Sequence, residues 1–226
     1  MGTTHPTKLS IIMVVQDVRY KIGKDFMKIY LVRHGQSQWQ LEPSENWDTP
    51  LTPLGHEQAQ RTGEWLAEHQ MLDNQTRVEI ASLCSSPLIR AQETAVYIAK
   101  SLHLPLLTQQ NLREADFHVA EHLPQRDTPL QAHSAYEPSK VYAAFKSQAQ
   151  AALQGLVEQA EANGGSVLAI THGGLIKTML RLVVDSDRVC FKLCNAGISS
   201  IEWRRGRWHL VHLNLWDHLP TELRTY

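Results

Sequence analysis

The sequence lacks the features that would tie it to a membrane, a nucleic acid or an oxidising compartment. Twenty-two Lys and Arg stand against 23 Asp and Glu, a net charge of −1. So even a balance offers no field to draw a polyanion or an anionic lipid surface, and neither nucleic acid nor membrane is expected as a partner. Cysteine is scarce: Cys84, Cys190 and Cys194 are the three among 226 residues. An odd, sparse set does not make a disulfide framework and fits a reducing compartment, so the expected location is cytoplasmic. Cys190 and Cys194 have no second cluster to complete a metal site and are expected to be buried thiols. Long apolar runs are also missing. Residues 9–15 are too few to span a bilayer, and Gln16-Asp17-Val18-Arg19 supplies no small-residue cleavage site. Gly2 invites myristoylation, but Pro6 stands where serine or threonine is needed. Residues 1–26 are therefore read as an N-terminal extension of unassigned structure and 27–226 as a single domain. No internal repeat, low-complexity stretch or linker divides it.

What is present is concentrated in four segments. Residues 28–32 are an apolar strand that ends in Arg33-His34-Gly35-Gln36-Ser37. A guanidinium neutralises phosphate oxygens with a fixed fork of donors, and a neighbouring imidazole can attack phosphorus. Residues 78–84 read as a second strand, followed by Ser85-Ser86-Pro87-Leu88-Ile89-Arg90. Ser86 has the character of an N-cap and Pro87 of a first helical residue, which puts Arg90 in the first turn. Leu112-Arg113-Glu114 follows without clear periodicity. Residues 167–171 form a third buried strand, leading through His172-Gly173-Gly174 into an apolar helix over 175–184. In open α/β sheets ligands bind beyond the carboxyl ends of the strands, where helix N-termini also point. His34, Arg90 and His172 would all lie there, forming an anion site of two arginines and two histidines.

These segments, in this order, resemble the histidine phosphatase superfamily, also called phosphoglycerate mutase-like. The resemblance covers roughly residues 28–219 and includes the helix entry Leu51-Thr52-Pro53-Leu54-Gly55 and the late Asn214, Asp217, His218 and Leu219. It implies a phosphorylated nucleophile at His34, a phosphate pocket completed by Arg33, Arg90 and His172, and a proton donor at Glu114. It implies no metal and no cofactor. Ser37 and Gly173 are added as substrate-binding candidates, with Gln40, which stands where relatives often carry a phosphate-touching asparagine. After Glu114 such enzymes often have a glycine and a Trp-Glu-Gly-like segment; here Ala115-Asp116-Phe117-His118-Val119 follows.

Periodicity predicts helices over 53–70, capped by Thr52, over 87–102, and over 138–162, stopped by Asn163-Gly164-Gly165. Residues 198–203 and 207–213 alternate around Arg204-Arg205-Gly206, a hairpin. The expected fold is an α/β three-layer αβα sandwich with a mostly parallel central sheet and an antiparallel edge. His56, His69, His103, His133, His209 and His212 are read as surface or structural groups. His118 and His122 could line the mouth of the site, and a metal held by them with Glu121 is disfavoured. Trp39, Trp47 and Trp65 are read as core or rim.

The expected function is hydrolysis of phosphate monoesters through phosphohistidine on His34, acting on a small phosphorylated metabolite. The alternatives are phosphoglycerate mutase-type transfer and a phosphate- or phosphoprotein-binding module without turnover. Between Glu114 and His172 stand three basic residues (Arg126, Lys140, Lys146) and six acidic ones. That balance, with Phe117, Val119, Leu123, Leu130 and Tyr136, favours a hydrolase over a mutase and a leaving group that is uncharged or partly apolar. A homodimer is compatible with the sequence. The physiological substrate is left open.

Overall fold

Residues 26–69, 72–73, 76–77, 80–131 and 135–226 are described by a computed structural model, with 72–73 and 76–77 described through their backbone. The apolar run at 9–15, Gly2, Pro6, Gln70, Val78, Glu79 and His133 lie outside these residues. The first half of the chain forms β1 (Phe26–Arg33), α1 (Gln38–Leu41), α2 (Pro53–His69), β2 (Leu72–Asp73), β3 (Thr76–Arg77), β4 (Leu83–Ser85), α3 (Ile89–Leu102) and β5 (Leu106–Thr108). The second half forms α4 (Lys140–Ala162), β6 (Ser166–Thr171), α5 (Gly173–Val183), β7 (Ile198–Arg204) and β8 (Arg207–Leu215).

The central strand β1 is buried on both faces. Met27, Ile29 and Leu31 point into one core, against Phe145, Ala149 and Leu156 of α4 and Leu175, Ile176 and Met179 of α5. Tyr30 and Val32 point into the other, with Leu66 of α2 and Ala91, Ala95 and Ile98 of α3. Apolar side chains at 27 and 29–32, buried in alternation on both faces with Lys28 among them, demand helices on both sides, which is the expected three-layer sandwich. The sheet runs β5-β4-β6-β1-β7-β8. The first four strands are parallel, and β7 and β8 complete an antiparallel edge. Arg205 and Gly206 both take positive φ, 51° and 74°, the paired left-handed conformation that a two-residue hairpin requires.

Some boundaries differ from expectation. β1 begins at Phe26, which pairs with Arg204, one residue before the expected domain start. β4 holds only three residues. α3 begins at Ile89, not Pro87. The Ser86 hydroxyl is taken up locally by Leu88 N–H and by His172, while Ile89 N–H is capped by Asp48 Oδ1 at 2.8 Å. α4 begins at Lys140, not Pro138, because the Ser139 hydroxyl accepts from Tyr142 N–H and sets the first turn there. Thr52 does cap α2, its hydroxyl accepting from Gly55 N–H at 3.0 Å.

The ends of β1, β4 and β6 are level. Arg33 pairs with Thr171 and Ser85 with Ile170, so His34, Ser86 and His172 leave the sheet side by side. The loop carrying His34 is clamped against the start of α2. A Cβ on Gly35 would overlap the Gly55 carbonyl oxygen, and a Cβ on Gly55 would overlap that of Gln36. These are backbone contacts that cannot swing aside. Gly35→Ala and Gly55→Ala should each cost about 1–3 kcal/mol, lowering Tm by roughly 3–10 °C, and should reduce activity by moving His34. A thermal melt within 1 °C of wild type for both would show that the loop tolerates displacement.

Candidate active site

Beyond the strand ends lies a cavity of about 570 Å³. Arg33, His34, Ser37, Gln40, Arg90, Glu114 and Gly173 line it. His172 is fully buried behind it, its ring centroid 5.1 Å from that of His34. All eight candidate residues therefore converge on one place, though in different capacities.

His34 is held by three neighbours. Its Nδ1 lies 2.6 Å from the Gly35 carbonyl oxygen, an acceptor only, so Nδ1 carries the proton. Nε2 is left with a lone pair, and Arg90 Nε–H donates to it at 3.2 Å. The His34 carbonyl accepts from Asn195 Nδ2 at 3.1 Å. Burial, then the charges of Arg90 and Arg33, holds the imidazole well below its ordinary value of 6.5. It is therefore neutral at neutral pH, the form in which an imidazole has a free lone pair.

Arg33 donates from Nη1 to the Leu193 carbonyl at 2.7 Å, and its buried Nε has no partner. Arg90 is fixed by the Trp47 carbonyl, 2.9 Å from Nη1, with the Trp47 ring 5.3 Å beneath its guanidinium. His172 Nε2 lies 2.7 Å from Ser86 Oγ, while its buried Nδ1 has no partner. Burial first, then the proximity of His34 and the charges of Arg90 and Arg33, keeps this imidazole neutral too. Arg33 Nε and His172 Nδ1 are thus buried atoms awaiting an oxygen acceptor, which an anion in the cavity could provide.

Glu114 reaches the N-terminus of α5. Gly174 N–H donates to its Oε2 at 2.8 Å, and Leu175 N–H and Ala115 N–H donate to Oε1 at 3.0 and 3.1 Å. A Cβ on Gly174 would overlap this carboxylate, so the second glycine after His172 makes room for the acid. Burial pushes the Glu114 carboxyl above its ordinary value of 4.5, against the opposing pull of these donors and of Arg90 and Arg33. The unusual sequence after Glu114 therefore does not displace it from the site.

Other candidates fare differently. Both N–H groups of the Gln40 amide are committed, to Asn195 Oδ1 at 3.1 Å and the Tyr226 carbonyl at 3.0 Å, so Gln40 braces the loop. Ser37 is buried beside it, its hydroxyl 3.4 Å from Gln40 Oε1. His118 lines the cavity, whereas His122 turns to Ser139 Oγ at 2.7 Å. No group of three or more His, Cys, Asp or Glu is arranged to hold a metal among the described residues. Cys190 was expected to be buried and is exposed, because it lies in a coil after α5 at the cavity rim; Cys84 and Cys194 are buried.

Several residues escaped sequence reasoning. Asp48 and Asn195 act through backbone and cap contacts that carry no local pattern, and Trp47, read as core or rim, does line the cavity but also holds Arg90. Lys177 and Arg181 also line the cavity. Their signal was available: they stand four and eight residues after Gly173, on one helical face.

A model of the histidine phosphatase superfamily (branch 1) matches residues 29–215. The chain belongs to this superfamily. It is 30% identical over 200 residues to the "Uncharacterized phosphatase PhoE" of Bacillus subtilis, covering 84% of this chain and 96% of that one. It is 29% identical over 197 residues to "Phosphoglycerate mutase-like protein 4" of Arabidopsis thaliana, covering 77% of this chain and 79% of that one. Among solved structures, Bacillus stearothermophilus YhfR matches with a TM-score of 0.65 and 25% identity, over 85% of this chain and 98% of that one. The superfamily match begins inside β1 and ends at the last residue of β8, so it spans the whole sheet. No helix among the described residues is long and apolar enough to cross a membrane.

Proposed function

We propose that this protein is a phosphatase that hydrolyses phosphate monoesters in two steps through phosphohistidine on His34. The observation that carries the reading is the held tautomer of His34: Nδ1–H on the Gly35 carbonyl, and the Nε2 lone pair in a cavity shared with Glu114. Nε2 attacks phosphorus as the bond to the leaving oxygen breaks, and protonated Glu114 gives that oxygen its proton. Arg33, Arg90 and His172 Nδ1 donate to the phosphoryl oxygens, on which charge is spread. Water then attacks phospho-His34. The Glu114 carboxylate takes the water's proton, the N–P bond breaks, and phosphate leaves with His34 neutral again.

Hydrolysis is favoured over a mutase by the relative named a phosphatase, which matches over more of both chains than the one named mutase-like. The buried acid at α5 favours turnover over mere binding. The cycle uses no metal or other cofactor and takes place in the cytoplasm. A panel of phosphorylated metabolites, assayed with and without 3-phosphoglycerate and in excess EDTA, tests this. Phosphate release that survives chelation, without isomerisation of 3-phosphoglycerate, is expected. Isomerisation would favour the mutase, and loss on chelation rescued by a divalent ion would defeat the metal-free cycle.

A further inference from the structure

The cavity lining carries two cations on α5 besides Arg33 and Arg90. Lys177 and Arg181 follow Gly173 at four-residue spacing on α5, and both line the cavity. Gly173 itself packs against the Arg33 side chain. Arg33, Lys177 and Arg181 thus form one edge that leads away from His34. Arg181 is 3% exposed; its Nε donates to the Val189 carbonyl at 3.1 Å, and its buried Nη1 has no hydrogen-bond partner. Neither Lys177 nor Arg181 joins an ion pair among the described residues; the nearby Asp187 is taken by Lys146 at 2.8 Å and by the Tyr142 hydroxyl. Burying an arginine with an idle donor is costly unless something acidic arrives. Burial and then the Arg33 charge pull the Lys177 ammonium below its ordinary value, which a second anion would reverse. The rest of the lining is partly apolar, with Phe117, Val119, Leu123 and Phe191.

We propose that Lys177 and Arg181 form a second anion subsite, and that the substrate is a phosphomonoester whose leaving group carries a distal carboxylate or second phosphate across an apolar spacer. This rests on the phosphatase reading and names its substrate class. It also replaces the uncharged leaving group expected from the charges between Glu114 and His172, a count that stopped short of α5. The helix sets the spacing. Four residues rise about 6 Å and eight about 12 Å, and long side chains lean back toward the N-terminus. The two anions should therefore stand roughly 6–12 Å apart, farther than in a three-carbon phosphorylated acid.

The test is a series of straight-chain ω-phosphoryloxy carboxylic acids from three to ten carbons, each beside its methyl ester, with p-nitrophenyl phosphate as reference. Wild type should prefer the acid over the ester in kcat/KM, through KM, with the preference greatest at the longer chains. Removing one charged donor typically costs about tenfold or more, so Lys177→Gln and Arg181→Gln should each cut the acid-to-ester ratio by about that factor. Arg181→Lys should restore part of it. If Arg181→Gln does not fold, the partly exposed Lys177 carries the test alone. Hydrolysis of p-nitrophenyl phosphate with no acid preference at any length, or a preference greatest at three carbons, would overturn the subsite and leave the phosphatase reading standing. Failure to hydrolyse p-nitrophenyl phosphate would overturn both.

Discussion

Rapid acid-free quenching during turnover should trap one phosphoryl group per chain on His34, stable to base and labile to acid. The expectation comes from the tautomer. With Nδ1–H engaged by the Gly35 carbonyl, only Nε2 can form the bond to phosphorus, so 3-phospho- and 1-phosphohistidine standards should identify Nε2 as the site. Arg90 Nε–H donates to that lone pair at 3.2 Å. On the proposed cycle Arg90 would turn from the imidazole to a phosphoryl oxygen when substrate binds. His34→Ala should remove the trapped group and lower kcat on the order of 10⁴-fold or more, as loss of a nucleophile does elsewhere. His34→Asn keeps part of the shape and should be equally inactive. Phosphate found on serine, or an active alanine variant, would overturn the covalent cycle. Because burial, Arg90 and Arg33 hold the imidazole well below 6.5, protonation of His34 should stop turnover only well below that pH. An acid limb in kcat/KM at 6.5 or above that disappears in no other variant would contradict the neutral, buried nucleophile.

The parts of the site visible in the sequence are those where chemistry and topology share a residue. Arg33-His34 and Thr171-His172 each close an apolar strand, and in a parallel sheet such ends meet. The level pairing of Arg33 with Thr171 follows from that. What was hidden depends on contacts between segments distant in sequence. Asp48 caps α3 from 41 residues away, so the Ser-Pro signal before it could not locate the true start at Ile89. Asn195 reaches back 161 residues to the His34 carbonyl. Glu114 stands in a coil after a short 3-10 turn at Gln110–Leu112, and only the N–H groups of α5 explain its position. Lys177 and Arg181 were legible in principle, at four-residue spacing after Gly173, but stood inside a helix read only for its apolar face. Arg181 is buried, and both residues line the cavity.

Glu114→Gln should divide substrates by leaving group. A p-nitrophenolate departs with little need of a proton, whereas an alkoxide does not. The variant should therefore lose about 10²- to 10⁴-fold on alkyl monoesters, the usual range for a general acid, and far less on aryl ones. Arg33→Ala and Arg90→Ala should behave differently, losing roughly 10²- to 10³-fold with every substrate, because they bind the phosphoryl group common to all. Geometry names the oxygen that carries the proton. Oε1 accepts two backbone N–H groups and Oε2 one, so Oε2 keeps the lone pair on which a proton can sit. The pH dependence gives a second readout with a definite sign. Burial raises the Glu114 carboxyl above 4.5, so the proton-donating form persists above that pH and is lost as pH climbs through the raised value. Alkyl monoester hydrolysis should decline along that limb, and in Glu114→Gln the limb should vanish, because glutamine has no proton to lose. Equal losses across a leaving-group series, with the limb intact in the variant, would remove Glu114 as the acid. Asp116, which also lines the cavity, would be the next carboxylate to substitute.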